Sequence, residues 1–280
     1  MNLQNFAIRL LAKSGAAELA RRALTRRARF VLNLHGVSSR RYENVPMDLQ
    51  PHHSVEEFRQ TLAWISKRFH FLTTEEFFHS AASGVLLTFD DGHANNLTNA
   101  LPVLKEFNAQ GLFFISAQHV KNPRDWLSFT RNDARRGWGE EASVPEDFAR
   151  DCYDGLSESQ LAELAASPNA VIGGHTVTHP FLAESAPEVI RREVEDSKRY
   201  LESIIQKRVD YFAYPYGSYT LQAAQIVKDA GYAAAFAVNG LRVGLPRFEI
   251  PRVGIYASAP DYLNLKLSGL HRRPLRGKIL

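Results

Sequence analysis

Asp90 and Asp91 stand side by side at the end of an apolar run, in "LLTFDDGHANN". Like charges repel, so the pair needs a nearby cation or two different tasks to be tolerable. A second stretch, "GGHTVTHP", holds His175 and His179 four residues apart. On a helical turn, residues i and i+4 point the same way, so both imidazoles could bind one ion. Two histidines and a carboxylate, with positions left open for water and substrate, form a common catalytic-metal arrangement. One aspartate could complete that site. Its neighbour, pointing the other way at an alternating strand end, could act as general base toward water. Alone, an Asp-Asp-Gly is most often a surface turn and a His-x-x-x-His most often a solvated or core pair. Their joint occurrence at two strand ends of one pattern favours the functional reading.

The pattern that must position them is strand, helix, strand. Short apolar or β-branched runs occur at 29–35, 84–90, 111–116, 169–175, 209–215, 232–238 and 250–256. Helical patterns lie between most of them. The segment 95–111 places Leu97, Leu101, Leu104 and Phe107 on one face and ends on Gly111, which reads as a C-cap. Ser157 and Gln160 form a capping-box signature, and Pro187 opens an amphipathic stretch that runs to Ile205. A further helix pattern, 221–232, runs into Gly231. Repetition of this unit implies parallel strands covered by helices, in the α/β class. Nearly continuous apolar strands imply burial on both faces. A closed or nearly closed β/α barrel fits best, with an open doubly wound sheet as the alternative, and in such barrels chemistry sits at the C-terminal strand ends. No phosphate-binding glycine fingerprint follows any strand, which weakens a nucleotide-binding version of the open sheet. The stretch 118–155, rich in charge and in Trp126, Phe129, Trp138 and Tyr153, interrupts the rhythm and reads as a lid or substrate wall.

Composition narrows the classes further. Hydrophobic residues make up 45% and charged residues 23% of the 280, as in an ordinary globular protein. With one cysteine, Cys152, there is no internal disulfide framework and no cysteine-based zinc site, so any metal must sit on His and carboxylate. The net charge of +4 is uneven: residues 1–30 hold seven Lys/Arg against Glu18 alone, and 266–280 hold five with no acid. The body between keeps 22 of the 34 basic and 29 of the 30 acidic residues, a net of −7. An acidic body argues against a nucleic-acid groove. The expected organisation is a basic amphipathic N-terminal helix (1–28), one catalytic barrel (29–260, with 118–155 as an insertion shaping the site) and a basic C-terminal tail (261–280). A basic amphipathic helix can lie on an anionic membrane surface or pack as a solvated helix on the domain. No stretch reads as a signal peptide or a membrane span, so a cytoplasmic location, peripheral at the inner membrane, is expected.

"TFDDG" (88–92) and "HTVTH" (175–179) resemble the first two motifs of the polysaccharide deacetylase family, the NodB-homology domain of carbohydrate esterase family 4. "FAYPYGSY" (212–219) is similar to a variant of its third motif. The motif order is right and the resemblance covers roughly residues 30–256. It implies a distorted (β/α)7 barrel and metal-dependent hydrolysis of an N-acyl group on an amino sugar. By matched position it implies Asp90 as general base, Asp91, His175 and His179 as ligands of one divalent ion, zinc by default, and Tyr216 as the residue whose backbone N–H helps hold the oxyanion. Tyr214 and Gly217 belong to the same substrate- or oxyanion-facing turn. The chemistry is coherent: the ion polarises the acyl carbonyl, the base deprotonates water, and metal plus donor stabilise the oxyanion.

Two departures from the family pattern stand out. Many members orient the base with an Arg in the third motif, where this chain has Ala213 and Tyr214; Arg247 or Arg252, from "PRFEIPRVG", could supply that charge. Many also carry a late Leu-x-x-His as general acid. His271 lies in the basic tail with no strand before it, whereas His35 ends the strand "VLNLH" and is the candidate acid, with an orienting hydrogen-bond role as the alternative. His93 could contact substrate or cap the helix that follows, and the cap is the favoured reading. The expectation is a hydrolase acting on an N-acylated amino sugar or a lipid- or nucleotide-linked glycan, in assembly of a bacterial surface polysaccharide or lipopolysaccharide. A silent carbohydrate-binding module on the same barrel and an amidohydrolase acting on a non-sugar amide are the rivals.

Overall fold

The computed structural model describes residues 28–238 and 244–268. The expected N-terminal helix, apart from Ala28, and the tail beyond Ser268, His271 included, lie outside the described residues. Ten strands occur among them: β1 (Arg29–Leu34), β2 (Val37–Ser38), β3 (His53–Ser54), β4 (Gly84–Phe89), β5 (Gly111–Ile115), β6 (Ala170–Gly174), β7 (Tyr211–Ala213), β8 (Ala234–Ala237), β9 (Ile250–Pro251) and β10 (Val253–Gly254). The main sheet runs β10-β1-β4-β5-β6-β7-β8-β9, parallel at every pairing. β2 and β3 pair only with each other.

β9 and β10 are two halves of one extended stretch, separated by Arg252. The first half pairs with β8 and the second with β1, so this stretch closes the sheet on itself. The Arg252 N–H donates to Ala237 O at 2.9 Å and the Ile255 N–H to Asn33 O at 3.1 Å. All seven apolar runs of the sequence are therefore barrel strands, and the open-sheet alternative gives way to closure.

The strand residues sort into two layers by alternation. Phe30, Leu32, Leu34, Val85, Leu87 and Phe89 belong to the large core beneath the helices. Val31, Leu86, Leu112, Phe114, Ala213, Phe236 and Ile250 fill the barrel, with Phe77 and Phe78 from the helix Thr74–His79. Burial of both layers is what makes the strands read as continuous apolar runs.

Several local expectations change. Gly111 opens β5 instead of capping a helix; the left-handed residue after the helix Leu101–Glu106 is Asn108, with φ 48°. That helix is preceded by a π-helical turn, Asn96–Ala100. Pro102 cannot donate to the helical ladder and its ring crowds the carbonyl four residues back, so a widened turn is the physical way through. The stretch 118–155 is mostly helical: Ala117–Lys121, Ser128–Trp138 and Glu146–Cys152. It carries its own small core of Trp126, Ala134, Val144, Phe148, Ala149, Cys152 and Tyr153. The helix Pro260–Lys266 buries Leu263, so the expected tail begins as a packed element.

Candidate active site

Asp90 follows β4 directly, and its N–H donates to Leu34 O at 3.0 Å. Along β4 the alternation that sends Leu86 into the barrel sends Thr88 and Asp90 the same way. Arg252, at the break between β9 and β10, reaches across with its guanidinium. Nη1 donates to Asp90 Oδ1 at 2.6 Å, Nη2 to Oδ2 at 2.7 Å, and Nη1 also to Thr88 Oγ1 at 3.2 Å. Arg252 is fully buried and Asp90 is 4% exposed. Burial pushes the Asp90 carboxyl upward, but Arg252 and the neighbouring His175 outweigh it and hold the group below the usual carboxylate range. A bidentate fork of this kind fixes orientation as well as charge. Of the two arginine candidates, Arg247 is elsewhere: its guanidinium lies 5.7 Å from the Phe78 ring, which stacks on Tyr211 at the start of β7. Proximity in sequence to Arg252 does not carry it to the strand ends, because it precedes the closing strand.

Asp91 lies beside Asp90 but does not point the opposite way. With φ 79° its backbone has left the strand, and both carboxylates line one cavity. Oδ1 of Asp91 is 3.6 Å from His175 Nε2 and 3.4 Å from His179 Nε2, while Oδ2 is 3.5 Å from His93 Nε2. The two imidazoles converge through a loop rather than a helical turn. Thr176 and His179 both have positive φ (67° and 61°), and the His179 N–H donates to Thr176 Oγ1 at 3.0 Å.

The residues present fit a divalent ion. Asp91, His175 and His179 each offer one ligand atom, all within 4.8 Å of one another, and all three residues are buried. Nδ1 of His175 lies 2.8 Å from Ala213 O, and a carbonyl can only accept. That fixes the proton on Nδ1 and leaves the Nε2 lone pair facing Asp91. Burial raises the Asp91 carboxyl, yet contacts from His175, His179 and His93 hold it well below the usual range. Burial pushes His179 down, toward the neutral form a ligand requires.

The cavity above these groups measures about 510 Å³ and is lined by Asn33, His35, Gln50, His52, Asp90, Asp91, His93, Phe129, His179, Tyr216 and Tyr256, among others. His35 sits at the strand end as expected; its carbonyl accepts from Asn96 Nδ2 at 3.1 Å, and its Nδ1 is buried with no hydrogen bond among the described residues. Tyr216 holds a left-handed backbone, φ 56°, an outlier for an aromatic residue, with its ring 4.5 Å from His179 and stacked on Phe181. Gly217 takes φ 65° in the same turn, where a Cβ would meet Val238 at 3.0 Å. Tyr214 is placed differently from its expectation: it is fully buried, stacks on Tyr219 and donates to Phe248 O at 2.9 Å. Alternation explains this, since Ala213 faces the barrel and Tyr214 the helical layer.

His93 faces Asp91 instead of capping a helix. Behind it His119 is fully buried, its Nδ1 3.2 Å from Asp91 O and its Nε2 3.2 Å from Tyr153 O. The role of His119 has no local signal in the sequence, because its partners lie 28 and 34 residues away. His93 stands two residues from Asp91, and only the left-handed backbone at Asp91 and Gly92 brings the two side chains together. Phe129, from the stretch 118–155, packs 5.5 Å from His179 and lines the cavity.

Comparison with known proteins places this geometry in a family. A model of the polysaccharide deacetylase family matches residues 80–235, more than half of the chain. The YxkH protein of Bacillus subtilis (strain 168) is 24% identical over 148 residues, 53% of this chain and 42% of that protein. The poly-beta-1,6-N-acetyl-D-glucosamine N-deacetylase of Staphylococcus aureus (strain MSSA476) is 23% identical over 231 residues, 79% of this chain and 73% of that one. In fold, the chain is similar to the Streptococcus pyogenes deacetylase PplD, solved in complex with acetate (TM-score 0.62, 21% identity, 84% of this chain and 96% of that chain). It is also similar to IcaB from Ammonifex degensii (TM-score 0.61, 23% identity, 85% and 97%). With the Asp-Asp and His-His motifs converging at the mouth of a closed β/α barrel, the chain belongs to the polysaccharide deacetylase family.

Proposed function

We propose that this protein is a metal-dependent hydrolase that removes an N-acyl group, acetyl or formyl, from an amino sugar of a bacterial surface glycan or lipopolysaccharide. The observation that carries the reading is the Asp90–Arg252 fork opening into the same cavity as Asp91, His175 and His179. The activity printed for the Staphylococcus aureus relative, N-deacetylation of poly-beta-1,6-N-acetyl-D-glucosamine, supports an N-acetylated amino-sugar chain as the substrate class.

Asp91, His175 and His179 would hold one divalent ion, zinc by default, which supplies Lewis acidity toward the acyl carbonyl when bound. Asp90, kept ionised by Arg252, accepts the proton of the attacking water. The fork also keeps that carboxylate from turning away between cycles. The Tyr216 N–H, in a turn held left-handed, donates to the oxygen that becomes negative as water adds. His35 delivers a proton to the nitrogen as the C–N bond breaks, so that the sugar leaves as an amine and the acyl group as a carboxylic acid. Phe129, Tyr216 and Tyr256 narrow the mouth and limit bulk water. Lipid- or nucleotide-linked forms of the glycan fit the same chemistry, and the basic segments 1–30 and 266–280 support a setting beside an anionic membrane, on the cytoplasmic side.

The test is release of acetate or formate from N-acylated glucosamine oligomers and from lipid- and nucleotide-linked amino sugars. Release from at least one class, lost in Asp90→Asn, supports the reading. Sugar binding with no acyl release from any class contradicts it.

A further inference from the structure

The loop that carries His175 and His179 is held by a carboxylate from the α-helix that follows it. Its carbonyls are taken from one direction: Ser116 Oγ donates to His175 O at 3.1 Å, Ala117 N–H to Thr176 O at 3.0 Å and Gln118 N–H to Val177 O at 2.9 Å. The N–H groups of Val177 and Thr178 point the other way, and both donate to Glu193 Oε2 at 2.8 Å. Thr178 Oγ1 donates to Glu193 Oε1 at 2.7 Å. Successive N–H groups beside a left-handed residue form a concavity suited to an anion, and here the chain fills it with its own carboxylate.

Glu193 is anchored well for this. It lies on the helix Pro187–Ile205, whose inner face buries Ile190, Val194, Ser197 and Leu201 against the barrel. The three bonds are charge-assisted, roughly twice as strong as neutral ones. The loop they clamp has two non-glycine residues at positive φ, a conformation that persists only where the surroundings hold it.

The two histidines differ in how they are fixed. His175 is oriented directly by Ala213 O. Nδ1 of His179 is buried with no hydrogen bond among the described residues, so its aim depends on the loop backbone and on ring packing by Phe129 and Tyr216. We propose that Glu193 is a positioning residue for the metal site, setting the loop so that His179 Nε2 meets Asp91 Oδ1. The inference rests on the reading of Asp91, His175 and His179 as a metal site.

The experiment titrates the metal-free, full-length protein with cobalt(II) and reads the Kd and the visible absorption spectrum. Thermal melting of each metal-free protein controls for folding. Glu193→Ala is expected to weaken cobalt binding by about ten- to a hundred-fold, the usual range for groups that orient metal ligands. Its spectrum should shift, and its cobalt affinity should fall by more than the change in metal-free melting accounts for. Glu193→Gln, which keeps one acceptor oxygen, should recover part of the affinity, and it carries the comparison if the alanine variant does not fold. Wild-type Kd and spectrum in a folded variant, or weakening only in step with lost melting temperature, would overturn the proposal. A wild-type protein that binds no cobalt would instead overturn the metal-site reading beneath it.

Discussion

At the scale of single residues, two neighbouring aspartates have different surroundings, which is what the different tasks proposed for them require. Asp90 meets a guanidinium, and Asp91 meets three imidazoles. Asp90→Asn should nearly abolish acyl release while leaving metal affinity close to wild type; loss of metal in that variant would mean the two roles are exchanged. Arg252 offsets the burial of Asp90 and lowers its pKa, so weakening the fork must raise that pKa. Arg252→Lys keeps a charge but loses bidentate geometry. The acidic limb of its kcat/KM profile should therefore move to higher pH, and an unmoved limb would remove Arg252 as the group that tunes the base. Equal activity in His35→Ala and wild type would likewise remove His35 as the acid.

At the scale of elements, the strands, the motif order and the main helices are legible because each is set by neighbours in sequence. The Ser157–Gln160 capping box is one such case: Ser157 accepts from the Gln160 N–H, and the Gln160 side chain accepts from the Ser157 N–H. Ser157→Ala should lower stability by about 1 kcal/mol, read by denaturant unfolding, with kcat unchanged. What the sequence could not disclose depends on partners far along the chain or on rare backbone conformations. His175 and His179 suggested a helical turn by spacing, yet Thr176 and His179 adopt left-handed backbones held by tertiary bonds. Asp91 turns toward its neighbour's side because of its positive φ, which no periodicity announces. Arg247 and Arg252 looked alike until strand pairing put Arg252 at the seam of the barrel. Tyr214 faces the helical layer by simple alternation, a reading available from Ala213 and the strand register once β7 is located.

At the scale of the whole molecule, burial biases several histidines toward the neutral form. Burial pushes His53 and His119 down to about 4. Nearby His52 and Arg41 add to the effect at His53, and Glu57 opposes it; His93 adds to it at His119. Their folded pKa values lie below the unfolded value, so the unfolded chain binds more protons between pH 6.5 and 4. The stability they contribute is full above that window and is lost as pH falls through it. Melting of the metal-free protein should therefore drop between pH 7 and 4.5, and His53→Gln should reduce that slope; an identical slope would mean His53 does not contribute. No helix among the described residues is long and apolar enough to cross a membrane. The central claim is that one divalent ion sits on Asp91, His175 and His179. Equilibrium titration of metal-free protein with zinc tests it most directly. One equivalent should bind to the wild-type chain and none to His175→Ala. A wild-type chain that takes up no zinc, and releases acyl groups in the presence of chelator as fast as without it, would contradict the account.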